Sequence, residues 1–133
     1  MNKINKKFSI LVVEDEKSLA DALKDKLEKE NFDVIECYDG LEGLQFASTK
    51  HPDLILLDLI MPNMGGLEML NKLREDSWGI NAKVIVLTNV SDPANIVVST
   101  GFSALGSNYE YLVKAETTLE NLVSKVKEKL NIK

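Results

Sequence analysis

The chain has 133 residues, a formal net charge of −5, one cysteine and one histidine. That length is one ordinary domain with room for a real core, and the acidic balance argues against a nucleic-acid-binding surface spread over it. No apolar stretch approaches the roughly 18 residues of a membrane span; the lone Cys37 forms no internal disulfide and fits a reducing cytosol, and a single His51 leaves no histidine–cysteine ligand set for zinc or copper.

Residues 1–7 are basic, lack a signal-peptide cleavage pattern and read as a flexible N-terminal tail; residues 8–131 are expected to form the domain. The apolar run over 8–13 ends in Glu14-Asp15 and reads as a first strand. Leu19, Leu23 and Leu27 mark the inner face of a first helix, and Val34-Ile35 with Cys37 a short second strand. Cys37 itself reads as a small buried hydrophobe. Asp39 with Glu42 is a capping box that opens a helix carrying Leu41, Leu44 and Ala47. His51 lies in a loop and reads as solvated.

Leu54–Leu57 is a third strand running into Asp58, and Gly65-Gly66 is a turn signal rather than a phosphate loop. Leu67, Leu70 and Leu73 give a third helix, and Trp78 in the following loop reads as a packing residue. Residues 84–87 form a fourth strand ending at Thr88. Asp92-Pro93 reads as cap plus first-turn proline of a helix with Ile96, Val97 and Phe102. Tyr109–Val113 is a fifth strand running into Lys114. Thr117 with Glu120 is a second capping box, followed by Leu119, Leu122, Val123, Val126 and Leu130 at helical spacing. Strand and helix thus alternate five times, the pattern of an α/β fold with helices on both faces of a parallel sheet.

Short, β-branched-rich runs are strands buried on both faces, and in such sheets the carboxyl ends share one edge where ligands bind. Glu14, Asp15, Asp58, Thr88 and Lys114 are therefore expected to meet there. Carboxylates repel at about 4 kcal/mol per pair at 4 Å with an effective dielectric near 20. Lys114 offsets part of this, and a hard divalent cation with oxygen ligands, Mg²⁺ first, would offset the rest. A carboxylate beside Mg²⁺ with a hydroxyl and an amine suits phosphoryl transfer, with Asp58 as nucleophile. No Gly-rich nucleotide cradle accompanies them.

The set Glu14-Asp15, Leu-Leu-Asp58-Leu-Ile-Met-Pro-Asn-Met-Gly-Gly, Val-Leu-Thr88 and Tyr111-Leu-Val-Lys114 resembles the receiver domain of two-component response regulators, over roughly residues 8–130. The resemblance implies a flavodoxin-like (βα)5 doubly wound sheet with strand order 2-1-3-4-5. It implies a stand-alone, chemotaxis-regulator-like, cytoplasmic signalling domain that is not an enzyme, although it assists its own phosphorylation and dephosphorylation. Asp58 would accept a phosphoryl group from a sensor histidine kinase or phosphotransfer protein. Asp15, Asp58 and the backbone carbonyl of Ile60 would bind Mg²⁺, with Glu14 acting through a water. Lys114 would hold a phosphoryl oxygen, while Thr88 and Tyr111 would be the switch. Output would be docking to a protein target, as a monomer or a phosphorylation-dependent dimer, with neither direct nucleic-acid nor membrane binding.

Three positions bear on access and lifetime. In the receiver family the side chains two residues after the acceptor and two after the threonine flank the approach of a hydrolytic water; here they would be Ile60 and Val90, neither of which can bond it, and the resemblance thus implies a phosphorylated state long-lived for the family. Asn89 replaces the family's usual small residue and stands to narrow access or touch the phosphoryl group. Ala115 replaces the family's proline after the lysine, so the loop into the last helix is expected to take another path. The approach to the fifth strand over residues 106–110 looks one residue longer than usual. The rival readings are a degenerate receiver serving as a constitutive interaction module and a Mg²⁺-dependent phosphohydrolase. The intact Asp15, Asp58, Thr88 and Lys114 oppose the first, and Ile60, where the second class wants an acid, opposes the second. A flavodoxin-like redox protein is disfavoured because no Ser/Thr-rich loop follows the first strand.

Overall fold

The computed structural model describes residues 7–61, 63–89 and 109–132. Five parallel strands, β1 (Ser9–Val13), β2 (Asp33–Cys37), β3 (Leu54–Leu57), β4 (Val84–Thr88) and β5 (Tyr109–Val113), form one sheet in the order β2-β1-β3-β4-β5. Helices α1 (Lys17–Lys29), α2 (Gly40–Lys50), α3 (Gly66–Leu73) and a last helix, Leu119–Lys129, flank it. The helix expected after Asp92-Pro93, with Ile96, Val97 and Phe102, lies outside the described residues, as do Val90 and residues 106–108.

The two-residue period of each strand divides the core into two layers. Leu11, Val13, Ile55, Leu57, Val84 and Val86 face Ala47 of α2 and Met69, Leu70 and Leu73 of α3. Ile10, Val12, Leu54, Leu56, Ile85 and Leu87 face Ala20, Leu23 and Leu27 of α1 and Leu122, Val123 and Val126 of the last helix. Each fully buried aliphatic contributes roughly 1.5–3 kcal/mol, so the central strands, apolar on both faces, anchor the sheet. Cys37 is buried among the first set, and burial pushes its thiol up to about 12, which makes it an inert hydrophobe.

Local details modify three expectations. Asp39 caps α2 by accepting the Glu42 N–H at 2.9 Å while Glu42 accepts the Tyr38 N–H at 2.9 Å, but Leu41 is 49% exposed. Gly40, Gly43 and Ala47 face inward instead, because α2 packs closely over β1. The last helix is capped by Thr118, whose hydroxyl accepts the Asn121 N–H at 3.0 Å, and not by Thr117 with Glu120. Thr117 is one residue too early because Lys114–Glu116 form a 3₁₀ turn and its hydroxyl donates to the Val113 carbonyl at 2.8 Å. No cis peptide occurs among the described residues, and this turn is the path the chain takes after Lys114. His51 is exposed yet stacks flat on Trp78, ring centroids 4.4 Å apart at 8°. Trp78 packs against the α2/α3-side core as expected.

Candidate functional site

Register brings the chemistry-bearing residues to one edge. Val13 lies beside Leu57, Leu57 beside Val86, and Thr88 beside Val113. Glu14-Asp15, Asp58, Thr88 and Lys114 follow or end these strands at their carboxyl edge. The Asp58 N–H donates to the Val13 carbonyl at 3.0 Å, which fixes β3's exit against β1. The loop after Asp58 is held twice. Gly66 N–H donates to the Leu59 carbonyl at 3.0 Å, and a Cβ at Gly66 would stand 2.0 Å from the Asp58 carbonyl oxygen, so only glycine fits. Asn63, in the left-handed region, donates its amide to Asp39 at 2.9 Å and ties the loop to the start of α2.

The side chains converge on an open cleft of about 350 Å³ lined by Glu14, Asp15, Glu16, Asp58, Ile60, Thr88, Asn89 and Lys114. Lys114 Nζ donates to Asp58 at 2.9 Å and pairs with Glu14 at 2.8 Å. The other Glu14 oxygen accepts the Glu16 N–H at 3.0 Å. Glu14 thus serves both the cluster and the entry to α1, where Glu16 supplies no side-chain cap. Asp58 also accepts the Ile60 N–H at 3.3 Å. Glu14, Asp58 and Thr88 are buried, and among the described residues the Thr88 hydroxyl finds no hydrogen-bond partner.

Burial is the largest influence on Glu14 and raises its carboxyl above the ordinary value. Lys114 and the Glu16 N–H pull it back, and the like charge of Asp58 pushes it further up. Burial also disfavours the Lys114 ammonium, but hydrogen bonds to Glu14 and Asp58 outweigh it, and the lysine is held above its ordinary value.

The donor set fits a hard divalent cation. Carboxylate oxygens of Glu14, Asp15 and Asp58 lie within 4.8 Å of one another, close to the spread of oxygens around an octahedral ion with bonds of about 2.0–2.1 Å. Three carboxylates facing one ammonium leave two negative charges to balance. Ile60 is 67% exposed at the mouth, Asn89 is exposed beside Thr88, and Tyr111 is half-buried against the α2/α3-side core. Glu16 is a cleft residue that motif reading passed over; the unbroken Glu14-Asp15-Glu16 acid run was its only signal.

A family model described as the response regulator receiver domain matches residues 10–127. The chain belongs to this family. It is 37% identical over 118 residues to "Response regulator ArlR" of Staphylococcus saprophyticus, a match covering 89% of this chain and 50% of that protein. The chain therefore spans about half the length of the curated relatives it matches. Among solved structures it is similar to a CheY-like receiver domain protein from Methanospirillum hungatei (30% identity, TM-score 0.80, 95% of each chain). It is likewise similar to the receiver domain of a signal transduction histidine kinase from Syntrophus aciditrophicus (32% identity, TM-score 0.80, 93% of this chain and 90% of that one). The receiver fold and its strand order are thus shared with these proteins, and the acidic cleft lies where the sequence reading put it. No described helix is long and apolar enough to cross a membrane.

Proposed function

We propose that residues 8–131 form a phosphorylatable receiver, with 1–7 as a tail, in which Asp58 accepts a phosphoryl group from a phosphohistidine of a sensor histidine kinase or phosphotransfer protein. A carboxylate oxygen of Asp58 bonds phosphorus as the bond from phosphorus to the imidazole nitrogen breaks. The observation that carries this reading is the ammonium of Lys114 at 2.9 Å from the buried Asp58 carboxylate, in a cleft whose acids lie within 4.8 Å of one another. Lys114 then passes from the free carboxylate to a phosphoryl oxygen. Thr88, whose buried hydroxyl finds no partner among the described residues, is the donor that gains a bond when a phosphoryl group arrives. Asp15, Asp58 and the Ile60 carbonyl would hold Mg²⁺, with Glu14 acting through a water. When bound, that ion neutralises charge on the transferring group.

The switch consists of Thr88 moving toward the phosphoryl group and Tyr111 turning further inward, which reshapes the β5 and last-helix face for a protein target. The domain is a signalling module of the cytoplasm, a phosphoryl acceptor rather than a turnover enzyme, and it works as a monomer or a phosphorylation-dependent dimer. Incubation with acetyl phosphate and Mg²⁺ followed by intact-mass measurement tests the acceptor. One acid-labile phosphoryl group is expected, absent in Asp58→Asn. Labelling that persists undiminished in Asp58→Asn overturns the assignment, and no labelling of the unaltered chain favours the constitutive interaction module.

A further inference from the structure

The cleft has a floor and a rim. Glu14, Asp58 and Thr88 are buried, and the Lys114 side chain is only 15% exposed. The other four lining residues, Asp15, Glu16, Ile60 and Asn89, are exposed. A nucleophile that displaces the Asp58 carboxylate from phosphorus must arrive from the side opposite the breaking bond, which is the open mouth, and must pass this rim. Its four members differ in what they offer a water molecule. Asp15 and Glu16 are anions, which a phosphoryl dianion repels, and Asp15 already belongs to the cation-binding set. Ile60 has no polar side-chain atom. Asn89, next to Thr88 at the end of β4, is the one uncharged rim side chain among the cleft residues that can accept a hydrogen bond from water.

We propose that the Asn89 carboxamide holds the water that hydrolyses the Asp58 acyl phosphate and so sets the lifetime of the phosphorylated state. This rests on the assignment of Asp58 as acceptor. The Asn89 side-chain oxygen accepts one O–H of the water. The water oxygen bonds phosphorus as the bond between phosphorus and the Asp58 oxygen breaks. The carboxylate departs with the bonding pair, and both water hydrogens remain on the product, dihydrogen phosphate. Ile60 excludes competing waters but positions none, so among the described cleft residues Asn89 is the one that positions the water.

The test loads the unaltered chain and three variants with acetyl phosphate and Mg²⁺, removes the donor and follows loss of the phosphoryl group by intact mass. Asn89→Ala and Asn89→Leu should both lengthen the half-life, by about threefold to tenfold for one lost hydrogen bond. Asn89→Gln keeps an uncharged carboxamide oxygen at the rim and should decay faster than either. Asn89 is exposed, so these changes leave the core intact. A half-life in Asn89→Ala equal to or shorter than that of the unaltered chain overturns the inference, since Asn89 would then be a bystander or a shield. Failure of the unaltered chain to label overturns the acceptor assignment itself, a separate result.

Discussion

Thr88 and Glu14 are both held in states that burial disfavours. A buried hydroxyl without a partner costs about 1–3 kcal/mol relative to a satisfied one, and an apolar group of the same shape escapes that cost. Thr88→Val should therefore be as stable as the unaltered chain or more so in urea, by up to about 1 kcal/mol, while losing the phosphorylation-dependent change at Tyr111. A clear loss of stability would mean that the hydroxyl is satisfied in solution. For Glu14 the sign follows from its raised carboxyl. The native state binds that proton more tightly than the unfolded chain does. The stability it carries is present below the ordinary value of 4.5 and is lost as pH rises from there through the native value. Glu14→Gln, uncharged at every pH, should match the unaltered chain in urea at about pH 4 and exceed it at pH 7. A Gln variant weaker at pH 7 would show that the pair with Lys114 outweighs burial.

At the scale of elements, caps and turns decide where each helix begins. Thr118→Ala removes the only side-chain cap of the last helix and should cost about 1 kcal/mol by thermal or urea unfolding. The two adjacent threonines show what a sequence leaves open. Both Thr117 and Thr118 are good caps, and the choice falls to Thr118 because the 3₁₀ turn over Lys114–Glu116 shifts the helix start by one residue. Lys114, the first residue of that turn, is held by Asp58 and Glu14 from distant strands, contacts that local pattern does not contain. The strands were legible because apolar runs of four to six residues on both faces have few other homes, and their ends placed Glu14, Asp15, Asp58, Thr88 and Lys114 together correctly. The exposure of Leu41 was not legible. Helical spacing marks it as apolar, but the close approach of Gly43 to Val13 rotates α2 so that its glycines face in. The docking of the Asp58 loop on α2 through Asn63 and Asp39 is a contact across 24 positions that periodicity cannot express.

For the whole molecule, the carboxyl edge of the sheet concentrates negative charge that the fold must tolerate. A cation that binds only the native cluster raises stability by mass action, so millimolar Mg²⁺ should raise the melting temperature, and Asp15→Ala should remove most of that rise. An equal rise in Asp15→Ala would place the ion elsewhere. The amino edge, where α2 leads into β3 and α3 into β4, carries the stacked pair of His51 and Trp78. Trp78 is the chain's one tryptophan. A strand of five residues separates the two edges by roughly 17 Å. The molecule's tryptophan fluorescence therefore originates at the pole away from the acid cluster. Its emission follows the integrity of the α2/α3-side core and the imidazole lying on the indole, while ion binding in the folded state leaves it dark to the observer; an optical probe of the cleft has to be introduced there.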